Sequence, residues 1–238
     1  MHRVACIIAL ALLAAFSSGA LAARRESPAA FGVQGRGVDS SAQDLAQALQ
    51  RKYDGIKDFS AEFTHTYRGG VLKKETVERG RLLVKKPGKM RWQYTAPEQK
   101  LFVSDGVKMY SYIPQDKQVI VTSIPPDDQI TTPTMFLVGK GNLARDFSAS
   151  IVEPPAGAPP GIRALKLVPK SPQREYDWLL LEVVPQTLQL RGLVTSDAQG
   201  GLSSFSFTNL KENTDVADKE FAFTIPRGVD VVTDTPTR

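Results

Sequence analysis

Between residues 79 and 113, apolar and polar side chains alternate with a period of two in four short runs: Leu82 and Val84; Met90, Trp92 and Tyr94; Leu101 and Val103; and Met109, Ser111 and Ile113. A period of two is the mark of β-strands, whose successive side chains point to opposite faces. Pro87-Gly88, residues 95–98 and Asp105-Gly106 separate the runs, and Pro, Gly and Asp favour reversal of the chain at such places. The region therefore predicts an antiparallel meander. One pleat collects Leu82, Val84, Met90, Trp92 and Tyr94, with Lys86 at the end of the same alternation, while Arg81, Leu83, Lys85, Arg91 and Gln93 take the other. One face is broad, aromatic and apolar.

The flanking segments extend the pattern. Ser40 or Ser41 can cap a helix in which Ala42, Leu45, Ala46, Leu49 and Tyr53 recur at helical spacing until Gly55 stops it. From Phe59 the period becomes two, with Phe59, Ala61, Phe63, His65 and Tyr67 on one face. Gly69-Gly70 turns this strand into another over 71–80, whose Lys73, Lys74, Glu75, Glu78 and Arg79 read as a solvated surface. A short strand follows at 118–122. Thr132-Pro133 then reads as the start of a short helix in which Met135, Phe136, Leu137 and Val138 are apolar and which Gly139 and Gly141 end. So short a helix must lean on the sheet. Residues 148–161, with the run EPPAGAPPG, read as an extended surface loop. Strands are expected again at 162–168, 176–184, 187–195, 202–210 and 221–225, with a last one at 229–232. The total is about ten or eleven antiparallel strands. A sheet that long curls, and the helices are too few to cover both its faces. The predicted fold is mainly β with a few helices: an open antiparallel half-barrel enclosing a hydrophobic cavity, covered by short helices.

Composition narrows the possibilities. Residues 1–22 carry Arg3, an apolar run from Val4 to Phe16 and Ala20-Leu21-Ala22, the pattern of a cleaved secretory signal. Cys6 lies inside that run and not in a lipobox, so the protein itself is not expected to be lipidated. Removing 22 of 238 residues leaves 216, suited to one domain over 40–238 behind a flexible leader at 23–39 that is rich in Arg, Ala, Gly and Pro. The only cysteine leaves with the signal, and so do His2 and Arg3, which reduces 30 Lys and Arg to 29 against 25 acids. No disulfide or thiolate metal site is then expected, and His65 alone cannot complete a histidine metal site. The basic residues are scattered among acids, which disfavours nucleic acid as a partner. His65 on an aromatic face reads as a packed or hydrogen-bonded residue, and Asp105, Asp127 and Asp128 as turn residues. No Gly-rich phosphate loop, H-E-x-x-H or G-x-S-x-G motif occurs, so neither an enzyme nor a cofactor is implied.

The run G-x-L-x-V-K-K-P-x-x-x-x-W, present as Gly80, Leu82, Val84, Lys85, Lys86, Pro87 and Trp92, is followed by L-x-V-S-D-G from Leu101 to Gly106. With the ending F-A-F-T-I-P-R-G-V from Phe221, these motifs resemble the LolA family of periplasmic lipoprotein carriers, over residues 41 to 238. The resemblance implies a monomeric chaperone that binds the acyl chains of lipoproteins released from the inner membrane by an ABC transporter and delivers them to an outer-membrane receptor. It implies a cavity lined by Leu82, Val84, Met90, Trp92, Tyr94, Leu101 and Val103, and a lid containing Met135, Phe136 and Leu137. Lys86 stands where the family usually has an arginine that holds the lid shut. The alternatives on the same fold are a periplasmic sensor of lipids or lipoproteins and a carrier of another lipid.

Overall fold

In the computed structural model the described residues are 40–71, 73–124, 136–139, 141–173, 176–197 and 199–233. The chain divides into two units, Met1–Gly37 and Val38–Arg238, and every described residue belongs to the second. Helix α1 (Ser40–Gly55) precedes β1 (Asp58–Arg68), β2 (Glu75–Lys85), β3 (Lys89–Ala96), β4 (Lys100–Asp105), β5 (Lys108–Ile113) and β6 (Gln118–Ser123). The short helix α2 (Leu143–Asp146) leads into β7 (Phe147–Val152), β8 (Arg163–Pro169), β9 (Trp178–Val184), β10 (Gln189–Ser196), β11 (Leu202–Glu212) and β12 (Asp230–Thr233). The twelve strands described form one sheet in the order β12-β6-β5-β4-β3-β2-β1-β11-β10-β9-β8-β7. β1 pairs with β2 on one side and β11 on the other, so it joins two meanders, β1–β6 and β7–β11. The end strands β12 and β7 do not pair with each other, and the sheet stays open as a half-barrel.

The strand expectations need four corrections. Residues 71–80 and the run through Val84 are not two strands; β2 continues through both as Glu75–Lys85. The segment read as a surface loop begins with β7, whose small residues Ser148, Ala149 and Ser150 gave it little apolar signal. Residues 221–225 form no strand: Asp218–Phe221 is a 3-10 turn lying against β3 and β4. Finally, β12 pairs with β6 in parallel, the one parallel pairing among the described strands. The 218–223 segment fails to become a strand because its aromatics are used on the convex face. Phe221 is buried there, and the Phe223 ring lies 5.3 Å from Tyr110 and 5.9 Å from Tyr112. Lys85 Nζ donates to Val216 O at 2.8 Å, Arg91 donates to Glu220 O at 3.2 Å, and Asp218 bridges Lys85 and Lys89.

The main core lies on the concave face. Ala42, Leu45, Ala46, Leu49 and Tyr53 form one buried stripe of α1, which packs over β7 and β8 and against α2. Beneath it, Leu165, Leu167, Leu179, Leu181, Val183, Leu190 and Leu193 are almost wholly buried. Each such side chain contributes roughly 1.5–3 kcal/mol through burial.

Candidate functional site

Strand register decides which side chains share the concave face. β2 pairs with β3 so that Leu82 faces Trp92, Val84 faces Met90 and Gly80 faces Tyr94. All five apolar residues of this set are at most 5% exposed, within the same cluster as α1. Across β1 and β11, Phe63 sits 5.0 Å from Trp92 and 4.9 Å from Tyr94, both edge-on, and Phe205 lies 5.1 Å from Trp92. Gly80 makes room for this strip, since a Cβ there would come within 2.6 Å of the Phe63 ring and 2.2 Å of Gln93 O.

Two expected lining residues fall elsewhere. β4 pairs with β3 so that Phe102 faces Trp92, Ser104 faces Met90 and Lys100 faces Tyr94, while Leu101 and Val103 oppose Gln93 and Arg91. Leu101 and Val103 therefore belong to the convex face, and the concave positions of β4 go to Lys100, Phe102 and Ser104. The pattern misled because LFV is apolar on both pleats. The strip is also not an open cavity in this conformation: its side chains are closed into a packed core.

Closure is completed at one end by residues 136–139. Phe136, Leu137 and Val138 are buried, the Phe136 ring lies 5.1 Å from Tyr53, and Gly88 donates its N–H to Val138 O at 3.3 Å. Residues 136–139 form a turn closed by Gly139 N–H to Phe136 O at 3.1 Å; Met135 and the start of the expected helix lie outside the described residues. Lys86 stands between these parts. Its Nζ donates to the carbonyl of Tyr53 in the last turn of α1, where carbonyls lack helical partners and the helix dipole favours a cation. Its aliphatic stem runs against Gly139, whose φ of +82° and lack of a Cβ both suit that approach. Burial pushes the Lys86 ammonium below the ordinary lysine pKa, and nearby Asp54 pulls it back only in part. An open cleft of about 420 Å³ lies beside it, lined by Asp54, Ile56, Lys57, Pro87 and Val138.

The other ties of α1 run to the opposite meander. Tyr53 Oη accepts from Leu190 N–H at 3.2 Å, and Lys52 reaches Thr187 O and the Glu212 carboxylate, at 2.9 and 2.8 Å. Gln50 and Gln43 bond the backbone of Leu143 and Ala144. Among the described residues, Lys86 provides the one side-chain hydrogen bond between α1 and strands β2–β6.

At the end of the strip away from Lys86 lies a polar cluster that single-residue reading missed. β1 and β2 place His65 opposite Glu78; Lys100 is ion-paired with Glu78, and His65 Nδ1 lies 3.4 Å from both Glu78 Oε2 and Tyr94 Oη. His65 Nε2 is 2.7 Å from Ser203 Oγ, and its ring stacks on Phe205 at 4.2 Å. Burial holds the imidazole below its usual pKa of 6.5, outweighing the pull of Glu78. His65 is thus packed and hydrogen-bonded, as expected. Glu78, however, is buried and not part of a solvated surface. The readable signal was its place on the same alternation as Leu82 and Val84.

This geometry can be set beside known proteins. The family profile for Outer membrane lipoprotein carrier protein LolA matches residues 54–224. The chain belongs to the LolA family. The Outer-membrane lipoprotein carrier protein of Hahella chejuensis is 32% identical over 194 residues, covering 79% of this chain and 88% of its own length. That of Chromohalobacter salexigens is 30% identical over 188 residues, covering 79% and 86%. A crystal structure of an uncharacterized conserved protein from Thermus thermophilus superposes with a TM-score of 0.50 at 17% identity, covering 82% of this chain and all but 1% of the other, a likeness of fold alone. The LolA profile begins one residue after Tyr53, in the last turn of α1, and runs through the strip, Lys86 and the 218–223 segment.

Proposed function

We propose that this protein is a periplasmic carrier that works by binding rather than by catalysis. In this reading residues 1–22 are a signal removed on export, 23–39 are a leader, and 40–238 form the carrier domain. The concave face takes up the acyl chains of lipoproteins released from the inner membrane by an ABC transporter, screens them from water, and hands them to an outer-membrane receptor. The names of the Hahella and Chromohalobacter relatives support the cargo class. The observation that carries the reading is the unequal tethering of α1. Its side-chain bonds go to α2 and the β9–β11 side, whereas among the described residues Lys86, in the β2–β3 turn, provides the one such bond to the β2–β6 side. Breaking that contact would free the last turn of α1, and with it Phe136 packed on Tyr53, from the Lys86 end of the strip formed by Leu82, Val84, Met90, Trp92 and Tyr94, while the helix stays attached elsewhere.

Energetics favour such a device. Acyl burial gives about 0.8 kcal/mol per methylene, so an always-open cavity would hold several long chains almost irreversibly. An apo state that closes on itself offsets part of that gain and makes release feasible. Purification of the exported protein from periplasm, followed by intact-mass spectrometry, tests the reading. Stoichiometric acylated protein supports it; protein that is empty or loaded only with phospholipid contradicts it.

A further inference from the structure

We infer that the buried polar end of the concave face is a subsite for the uncharged ester linkage of a glycerol-bound acyl chain, an inference that rests on the carrier reading above. Its carbonyl would accept hydrogen bonds from Lys100 Nζ and Thr76 Oγ1 while the chain runs along Phe205, Phe63 and Trp92. The first ground is burial without need. His65, Glu78 and Lys100 are all under 9% exposed, and a buried ionic cluster commonly stabilises a fold no better than apolar residues of the same volume. The second is an orphan. Thr76 shares the concave pleat with Glu78, two residues along β2, and its Oγ1 is buried with no hydrogen-bond partner among the described residues. Buried hydroxyls are ordinarily satisfied. An ammonium carries three donors, and among the described residues the one hydrogen-bond partner of Lys100 Nζ is Glu78 Oε1.

The third ground is continuity. Lys100 lies 5.8 Å from the centre of the Tyr94 ring, and His65 stacks on Phe205, which in turn touches Trp92 and Phe63. A ligand lying on the strip would present its polar end to this cluster. Charge then selects the ligand. Lys100 and Glu78 cancel and His65 is held neutral, so a phosphate headgroup would bring an uncompensated charge into a buried site, whereas an ester carbonyl would bring none.

The test compares two neutral lipids that differ only in the linkage, dipalmitoylglycerol and dihexadecylglycerol, as competitors of the apolar dye N-phenyl-1-naphthylamine. The parent protein should prefer the ester by on the order of tenfold, the discrimination expected from a charge-assisted hydrogen bond. Thr76→Val, which leaves the ion pair intact, should reduce that preference, and the paired Glu78→Gln, Lys100→Gln variant should abolish it. The ratio of the two affinities is the readout, because a general loosening of the core weakens both lipids together. Equal affinities in the parent, or a preference that survives in both variants, would overturn the subsite while leaving the carrier reading intact. Tighter binding of dipalmitoyl phosphatidate than of the diacylglycerol would overturn it in favour of an anionic headgroup site. A parent protein that binds neither lipid nor dye would remove both readings.

Discussion

The two meanders share one sheet but solve the concave face differently. Strands β8–β10 of the second meander fill it with aliphatic side chains, Leu165, Leu167, Leu179, Leu181, Leu190 and Leu193, under a helix bonded to β10, the β9–β10 turn and α2, whereas β11 adds Phe205 and Phe207 to the aromatic side. Strands β1–β4 fill it with Phe63, Trp92, Tyr94 and Phe102, with a buried ionic cluster at one end and Lys86 at the other. Leucines interdigitate, and each loses favourable contacts when a neighbour leaves. Flat rings held edge-to-face present broad surfaces that an acyl chain can cover as well as another side chain can. The difference suggests a division of labour: the aliphatic half holds the fold and α1, and the aromatic half exchanges one apolar cover for another.

The largest effect should come from the aliphatic half. Leu181→Ala removes a fully buried side chain and should cost about 2–5 kcal/mol of stability, read by denaturant unfolding. The extra stability conferred by a bound acylated peptide should be the same in variant and parent. A collapse of that ligand-induced gain would put the acyl chains in the wrong half.

Lys86→Leu comes next. It removes a charge-assisted hydrogen bond from the closed state, about 1.5–3 kcal/mol, or roughly 10- to 150-fold in the opening equilibrium. Loading from inner-membrane vesicles should be at least as efficient as in the parent, and onward transfer to the receptor should be poorer. The two steps are measured separately, and equal transfer would mean that the lysine holds nothing shut.

The smallest expected effect concerns His65. Because burial lowers its pKa in the folded protein, the unfolded chain takes up the proton first as pH falls through about 6.5. Stability should therefore decline from there until the folded value is reached, and not rise. Glu78 pulls the ring toward protonation and Lys100 pushes it away, so the net direction rests on burial. His65→Gln should flatten this part of the stability profile, measured by urea midpoints between pH 7 and 5. An unchanged profile would mean that the imidazole is as easily protonated folded as unfolded.

How far the sequence revealed these regions follows from pattern strength. Met90, Trp92 and Tyr94 alternate with Arg91 and Gln93, so their pleat could be read directly, as could the α1 stripe ending at Tyr53. Leu101 and Val103 were placed on the wrong face because Phe102 between them is apolar too; only the pairing of Phe102 with Trp92 resolves the choice. The F-A-F-T-I run at 221–225 alternates like a strand, yet Phe221 is buried on the convex face and Phe223 stacks on Tyr110 and Tyr112 there. The ionic cluster was hidden because His65, Glu78 and Lys100 lie on three strands and meet only through register. Lys86 was singled out by the family resemblance, which has an arginine at its place before Pro87, but its partner, the Tyr53 carbonyl, was not legible, since a backbone acceptor leaves no trace in composition.

The central claim is that acyl chains replace the cover of the aromatic half. In a Trp178→Phe protein, Trp92 is the sole tryptophan, and its fluorescence should be followed while a triacylated cysteine peptide is titrated in. The emission should shift, and acrylamide quenching should change, in proportion to binding measured independently by calorimetry. Saturating, calorimetrically confirmed binding that leaves both signals of Trp92 unchanged would contradict the account.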